Sequence, residues 1–581
     1  MKAITYISVL CAVLLLPVCI CAQGIIIPSG SYVIASNGNI VTKNNFTVNG
    51  SFTHNGGTLI FNGTTQTLSG ATATTFNNIT INAGSTTTVS STGHKIKSVL
   101  LSNGTFNSNG NITLISTAAQ TAAIDGTGTG QVLGTVIMQR YIASAFGYKY
   151  FSSPFQSDTV GDFSNDMTLT ASFPAFYKHD ESLTSNGWVA YITGSGALNV
   201  LTGYAANLGG TIASKTVDLK GVVNNGTVSR TLYNNNRIYT QGFNLVGNPY
   251  PSPINWAASS GWTKTNIDNA VYYFNAGTLN QYTGVYSSYV NGVSSDGIAG
   301  STIAAMQGFF VHVSNGTFPV TASLGANNNV RILNSTATFY KVSGENNQSL
   351  VRMTAGFADL PDNADALTVY FDNASTPVFN KNVDALKIMN TDSLMPNLYA
   401  VSTDDQNLSI RALASVKDSI VIVPLGFSLK KDGYINFTAK DIYDIPAGWY
   451  VYFSDASTAT NHDLKKEPAY KLLLAAGGYT NRFFLKFSTR DLNAPMVDPT
   501  PETDDKLKMY SSGNRLFVNP GLKTGERAQL SVITILGQIV YSSTVTGNTY
   551  TVVPQSFANG VYIINISGTS KKESRKVFIG N

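Results

Sequence analysis

The sequence predicts an all-β chain: an N-terminal β-solenoid-like segment, two β-sandwich-like modules and a small C-terminal Ig-like sandwich. Three observations carry that expectation. Charged residues make up 12% of the chain, against roughly 25% in ordinary globular proteins, and Gly, Ser, Thr and Asn fill the gap. With 43% hydrophobic residues, 29 Phe and 29 Tyr, the chain has the apolar content that a disordered polymer lacks. Short β-branched and aromatic runs alternate with Asn-Gly and similar pairs, the pattern of strands joined by tight turns.

Residues 1–22 read as a signal peptide. Met1-Lys2 supplies a positive start, Ile4 to Leu16 is almost wholly apolar, Pro17 breaks it, and Ile20-Cys21-Ala22 offers a cleavage site before Gln23. The apolar run is shorter than the ~20 residues of a membrane span. Cys11, Cys19 and Cys21 all fall inside this leader, so the processed chain is expected to lack disulfides, thiolate metal sites and thiol nucleophiles.

Residues 23–135 are expected to form the β-solenoid-like repeat segment. Lys43, Lys95, Lys97 and Asp125 are the only charged residues from 24 to 135. Leu59-Ile60-Phe61, Ile79-Thr80-Ile81 and Val99-Leu100-Leu101 stand twenty residues apart, a period that suits one solenoid coil. A Thr-rich sandwich with coincidental spacing is the alternative. Residues 136–335 are expected to form a β-rich module around Gly247-Asn248-Pro249-Tyr250, where the first three residues favour a tight turn. Residues 336–490 alternate like a sandwich. Residues 491–505 contain three Pro and four acids between Asn493 and Asp505 and read as a linker. From Lys506 onward there are nine Lys or Arg against two Glu, so the rest is close to neutral and gives no argument for nucleic acid.

Gly57-Thr58-Leu59-Ile60-Phe61-Asn62-Gly63 and the runs after it resemble β-helical repeats of large bacterial surface proteins. The Gly-Asn-Pro-Tyr loop and Met306-Gln307-Gly308-Phe309-Phe310-Val311 resemble a module of exported Bacteroidota proteins. Asp384-Ala385-Leu386-Lys387 resembles a strand motif of another exported module. Residues 506–581 resemble the C-terminal (type A) sorting domain of type IX secretion cargo, a seven-stranded sandwich. Leu536-Gly537-Gln538-Ile539-Val540, Gly560-Val561-Tyr562 and Lys576-Val577-Phe578-Ile579 carry that resemblance, with Gly537, Gln538, Gly560, Tyr562 and Lys576 as its motif residues. Ser511-Ser512-Gly513-Asn514 stands where the family usually has Pro-Asn-Pro. The resemblance implies outer-membrane secretion and sorting machinery as partner, and a cell-surface or secreted location. It also implies removal of the domain near the linker, with the remainder released or attached to surface lipopolysaccharide.

No Gly-x-Ser-x-Gly, His-Glu-x-x-His or Gly-Lys-Ser/Thr motif is present, and no cofactor is implied. The five histidines are scattered, and His179-Asp180-Glu181 is the nearest approach to an acid/base cluster. A glycosidase needs two carboxylates ~5–9 Å apart, but outside the linker and sorting domain the only Glu are Glu181, Glu345 and Glu467. Asp359, Asp362 and Asp365 could offer carboxylates to calcium, although the glycine and downstream Glu of an EF-hand loop are missing. Trp188, Trp256, Trp262 and Tyr272 are candidates to stack on extracellular glycans; core packing is the competing role for them. The expected function is a non-enzymatic adhesin or structural surface protein. The alternatives are a carbohydrate-binding surface protein and an extracellular hydrolase with an unrecognised cleft.

Overall fold

The computed structural model describes residues 24–494 and 506–580, apart from 92, 172–174, 278, 338–347, 391, 415–419 and 513–514. The expected leader, most of the expected linker and part of the Ser511–Asn514 departure lie outside the described residues. The chain is 52% strand and 1% helix, and it divides into two compact units at Asp491/Leu492.

The first unit begins with a β-solenoid of about five turns. Each turn contributes strands to parallel ladders, one running through Ile40–Thr42, Thr58–Phe61, Asn78–Ile81, Val99–Ser102 and Ala123–Ile124. Period-two alternation sends every other side chain inward, and Leu59, Ile79 and Leu100 stack there with no exposure. Thr58, Asn78 and Thr80 alternate with them on the outer face, where no charge is needed. The ladder pairs Leu59 with Ile79 but Ile79 with Leu100. The third triplet is therefore shifted by one residue from the twenty-residue spacing, and Val99 is only half-buried. Such a slip would put the wrong face inward if the register did not absorb it. Tight coil-to-coil approach fixes the turns as well: a β-carbon on Gly63 would lie 1.9 Å from Lys43 O.

Several polar groups inside the solenoid are bonded, while His54 Nε2 and Thr87 Oγ1 are buried without a hydrogen-bond partner among the described residues. Gln66 donates to Thr42 O (3.0 Å) and Asn44 O (2.9 Å) and accepts from Gly63 N (2.8 Å). His54 and His94 pack with Phe52 and Phe76. Their Nδ1 atoms accept from Asn77 N (3.1 Å) and Thr74 N (3.2 Å). Burial lowers both imidazole pKa values, so these are neutral core histidines.

The expected boundary after residue 135 falls at the start of a strand. Thr135–Ile142 pairs parallel with Ile112–Leu114 as the last rung, and antiparallel along its whole length with Lys215–Val222. Arg140 on that strand is fully buried. It donates to Ala337 O (2.8 Å) and Thr121 Oγ1 (3.3 Å), and burial pulls its pKa down to about 9.

Beyond it, Phe243–Gly247, Gly308–Val313, Ile267–Ala276 and Gly284–Val290 form one antiparallel sheet with Val293–Ser294. Its alternation serves two cores: Val271 and Tyr273 face one, while Tyr272 and Phe274 face the other. The Gly-Asn-Pro-Tyr loop is a buried staple. Asn248 Nδ2 donates to Ser252 O, Ile303 O and Ala304 O, and its Oδ1 accepts from Tyr250 N. A β-carbon on Gly247 would lie 2.1 Å from Ser152 Cβ, which is why glycine stands there.

Among the described residues from Leu350 to Ser488, a single eleven-stranded sheet rolls over itself. Phe427 and Phe437, on strands five places apart in the sheet order, meet at 4.9 Å. This produces the sandwich-like packing from one sheet. Its core is continuous with Tyr150, Leu245, Phe274 and Phe310, so no core boundary lies near residue 335. Asp384-Ala385-Leu386-Lys387 places two buried ion pairs, Asp384 with Arg411 (3.0 Å) and Lys387 with Asp365.

Among the described residues the second unit has seven strands in two sheets, of three and four strands, around one core. Gly537 (φ 87°) and Gln538 make the hairpin turn, where Gly537 N donates to Thr534 O (2.9 Å). Gly560 opens a strand whose Tyr562 donates to Ala558 O (3.0 Å), and Lys576 pairs with Ile563 across the sheet.

The observed register makes a direct expectation. Leu100→Ala should cost about 2–5 kcal/mol, as for a buried leucine that leaves a cavity, whereas Val99→Ala should cost less than about 1.5 kcal/mol. Denaturant midpoints at unchanged m-value measure both.

Candidate functional site

The first unit holds a cleft of about 560 Å³ whose floor and walls are aromatic. Strand alternation delivers them: Tyr148 and Tyr150 lie two apart on Tyr148–Ser152, Phe274 comes from Ile267–Ala276, and Phe310 from Gly308–Val313. Tyr150 stacks on Phe274 at 5.0 Å and meets Trp188 at 5.7 Å. Its hydroxyl bonds to that of Tyr286 at 2.9 Å. Trp188 and Phe310 both meet the ring of His179, at 5.1 and 5.0 Å. At the rim stand Tyr239, Tyr282 and Met389, which are 67%, 48% and 36% exposed.

Among the described residues, no Asp, Glu, Lys or Arg lines the cleft. His179 is its one imidazole. Burial brings that pKa down to about 4, outweighing the opposing pull of Asp180. Burial also raises the Tyr148 phenol, and raises Tyr286 to about 12. The cleft is therefore uncharged at neutral pH. It offers apolar faces with a few hydroxyl, amide and imidazole groups, the usual makeup of a small-molecule site.

The rim is fixed by one carboxylate. Glu181, buried just beyond the His179 strand, accepts at its carboxylate from Asn235 N (3.0 Å), Asn235 Nδ2 and Gly242 N (3.3 Å), and at its main-chain oxygen from Thr240 Oγ1 (2.8 Å). It thereby holds the 235–242 loop that carries Tyr239. Asp180 instead accepts from Ser182, which lowers its pKa. The three neighbours His179, Asp180 and Glu181 thus serve a wall, a turn and a loop clamp, and they do not form an acid/base cluster.

Of the candidate aromatics, only Trp188 lines this cleft. Trp256 is 1% exposed, donates to Asn269 O (2.7 Å) and lies under Lys264 at 3.6 Å. Trp262 packs on it at 4.8 Å and donates to Asn255 O (2.8 Å). Tyr272 is 1% exposed, edge-on to Phe243. Trp256 and Tyr272 are core and cannot present a face to a ligand, while Trp262 is partly buried against that core and lies outside this cleft. The acidic candidates separate too. Asp359 and Asp362 are exposed, while Asp365 turns inward, pairs with Lys387 and accepts from Leu398 N (2.7 Å). The three carboxylates therefore do not converge, and among the described residues there is no group of three His, Cys, Asp or Glu that could hold a metal.

Residues 32–487 match a family model described as "Domain of unknown function (DUF8693)". The chain belongs to that family. One family thus spans most of the solenoid, the cleft and the rolled sheet. Residues 513–580 match a secretion system C-terminal sorting domain, and the protein is exported by type IX secretion to the cell surface or extracellular space, with that machinery as its partner. No curated protein matches the sequence. A solved "Biofilm associated protein - BSP domain" is similar over 77% of this chain and 92% of its own, at 10% identity and a TM-score of 0.14, too low to bear on fold or function.

The buried imidazole gives a measurable expectation. An ordinary histidine is half-protonated near pH 6.5; in histidine-labelled NMR spectra His179 should remain neutral at pH 5 and protonate only near pH 4. Its folded pKa lies below the unfolded value, so its contribution to stability is complete above about pH 6.5 and is lost as the pH falls toward 4.

Proposed function

We propose that the protein is a non-enzymatic surface adhesin that holds the sugar rings of extracellular glycans in its aromatic cleft. The observation that carries this reading is the combination of aromatic walls with an absence of charge. A pyranose presents a C–H face that packs on an aromatic ring and equatorial hydroxyls that need neutral donors and acceptors, and Tyr and Trp combine an apolar body with a polar tip. Hydrolysis of a glycosidic bond would require two carboxylates at the reacting centre, and the cleft offers none among the described residues. The solenoid serves as a structural extension of the body that carries the cleft. Attachment to surface lipopolysaccharide after processing would keep the cleft at the cell exterior.

The test is adhesion of cells displaying the full chain to immobilised glycan. Trp188→Ala, secreted in normal amount and with an unchanged melting profile, should lower retention at least tenfold, equivalent to about 1.4 kcal/mol. Undiminished retention by this variant overturns the reading. So does glycan cleavage that a single carboxylate substitution abolishes.

A further inference from the structure

A second cavity, of about 580 Å³, lies on the other side of the 235–242 loop. It shares Phe243 and Met389 with the aromatic cleft. The loop contributes to both: Tyr239 and Thr240 face the first, while Asn236, Ile238 and Gln241 face the second. We propose that the two cavities are successive subsites of one groove, and that its occupant is a neutral oligosaccharide chain crossing this loop. The inference rests on the sugar-binding reading above and adds the length of the ligand.

The chemistry of the second cavity complements that of the first. Asn315, Gln406 and Asn407 line it together with the loop's own Asn236 and Gln241. A side-chain amide both donates and accepts, as a sugar hydroxyl does. Lys387 is paired with Asp365 and His312 is hydrogen-bonded to Asp268 at 2.6 Å, while Arg237 donates to Ser182 O at 2.9 Å and makes no ion pair among the described residues. Asp405 is exposed. Arg237 shares this lining with the exposed Asp405, so an anionic polymer would meet repulsion beside attraction, and a hydroxylated neutral one would find aromatic faces on one side of the loop and amides on the other.

The loop is built as a fixed divider. Glu181 clamps it at Asn235, Thr240 and Gly242. Asn236 and Gln241 hold left-handed backbone at φ 55° and 48°, a conformation that Asn adopts readily but that Gln adopts only where its surroundings impose it. Its tip nevertheless exposes Ile238 (75%) and Tyr239 (67%). Large apolar side chains held outward on a clamped loop suit a surface that a ligand covers, and each cavity alone is already of ligand size.

The experiment measures affinity of the intact protein for an array of neutral glycans graded from one to six units, with uronate-containing glycans and apolar peptides as competitors. Neutral glycans should be preferred, and affinity should rise at least tenfold between two and four or more units. Gln406→Ala combined with Asn407→Ala should remove most of that rise. Binding that Trp188→Ala abolishes but that does not depend on chain length overturns the second subsite and leaves the adhesin reading standing. Preference for anionic glycans or peptides overturns the inference, and the absence of any neutral-glycan binding overturns both.

Discussion

The Thr135–Ile142 strand carries two pairings at once, and the organisation of the first unit depends on them. On one side it continues the parallel ladder of the solenoid; on the other it accepts Lys215–Val222 in antiparallel register. A solenoid end is otherwise a row of unpaired backbone groups that invites further strands. Here one antiparallel strand, Lys215–Val222, caps the ladder as the last strand of the same sheet. Arg140 marks the cost of the junction: a guanidinium without exposure, held by a backbone carbonyl and a hydroxyl. Inward residues Val136 and Met138 continue the solenoid core into the module that follows.

A second fusion follows from the sheet that faces two cores. Because Tyr272 and Phe274 turn toward the rolled sheet, that sheet's interior runs unbroken into the middle segment. Polar contacts reinforce the seam, among them Ser288 Oγ with Ser409 Oγ at 2.8 Å and Asn269 N donating to Lys381 O at 2.9 Å. The aromatic cleft lies at this seam, with Met389 on one side and Tyr150, Trp188 and Phe310 on the other. Its walls are strand residues packed from behind, a preorganised arrangement that limits the entropy lost when a ligand binds. The single family match over 32–487 agrees with this continuity.

Much of the architecture was legible in the residues, for identifiable reasons. Low charge and the spacing of Leu59 and Ile79 announced the coils, while the slip at Leu100 was invisible because an added residue in a turn leaves composition unchanged. The sorting domain was legible because its hairpin and closing strand are local patterns. Trp188 was singled out with Trp256, Trp262 and Tyr272, and only packing separates the ring that lines the cleft from Trp256 and Tyr272, which fill a core, and from Trp262, which leans on one. The three acids near 360 looked equivalent until strand alternation turned Asp365 toward Lys387, twenty-two residues away. Glu181 stood beside His179 in sequence, yet its partners lie more than fifty residues downstream. Scarcity of Glu was the only signal that a buried one would have a specific task.

The central claim is that residues 24–491 form one cooperative body in place of three beads on a string. Native-state hydrogen exchange on the intact chain tests it most directly, because it resolves separate openings residue by residue. The slowest amides at Ile79 and Leu100, at Met138 and Leu219, and at Leu245 and Leu425 should open with one common free energy and one common denaturant dependence. A solenoid whose amides open at lower free energy, with Met138 and Leu219 still protected, would contradict it.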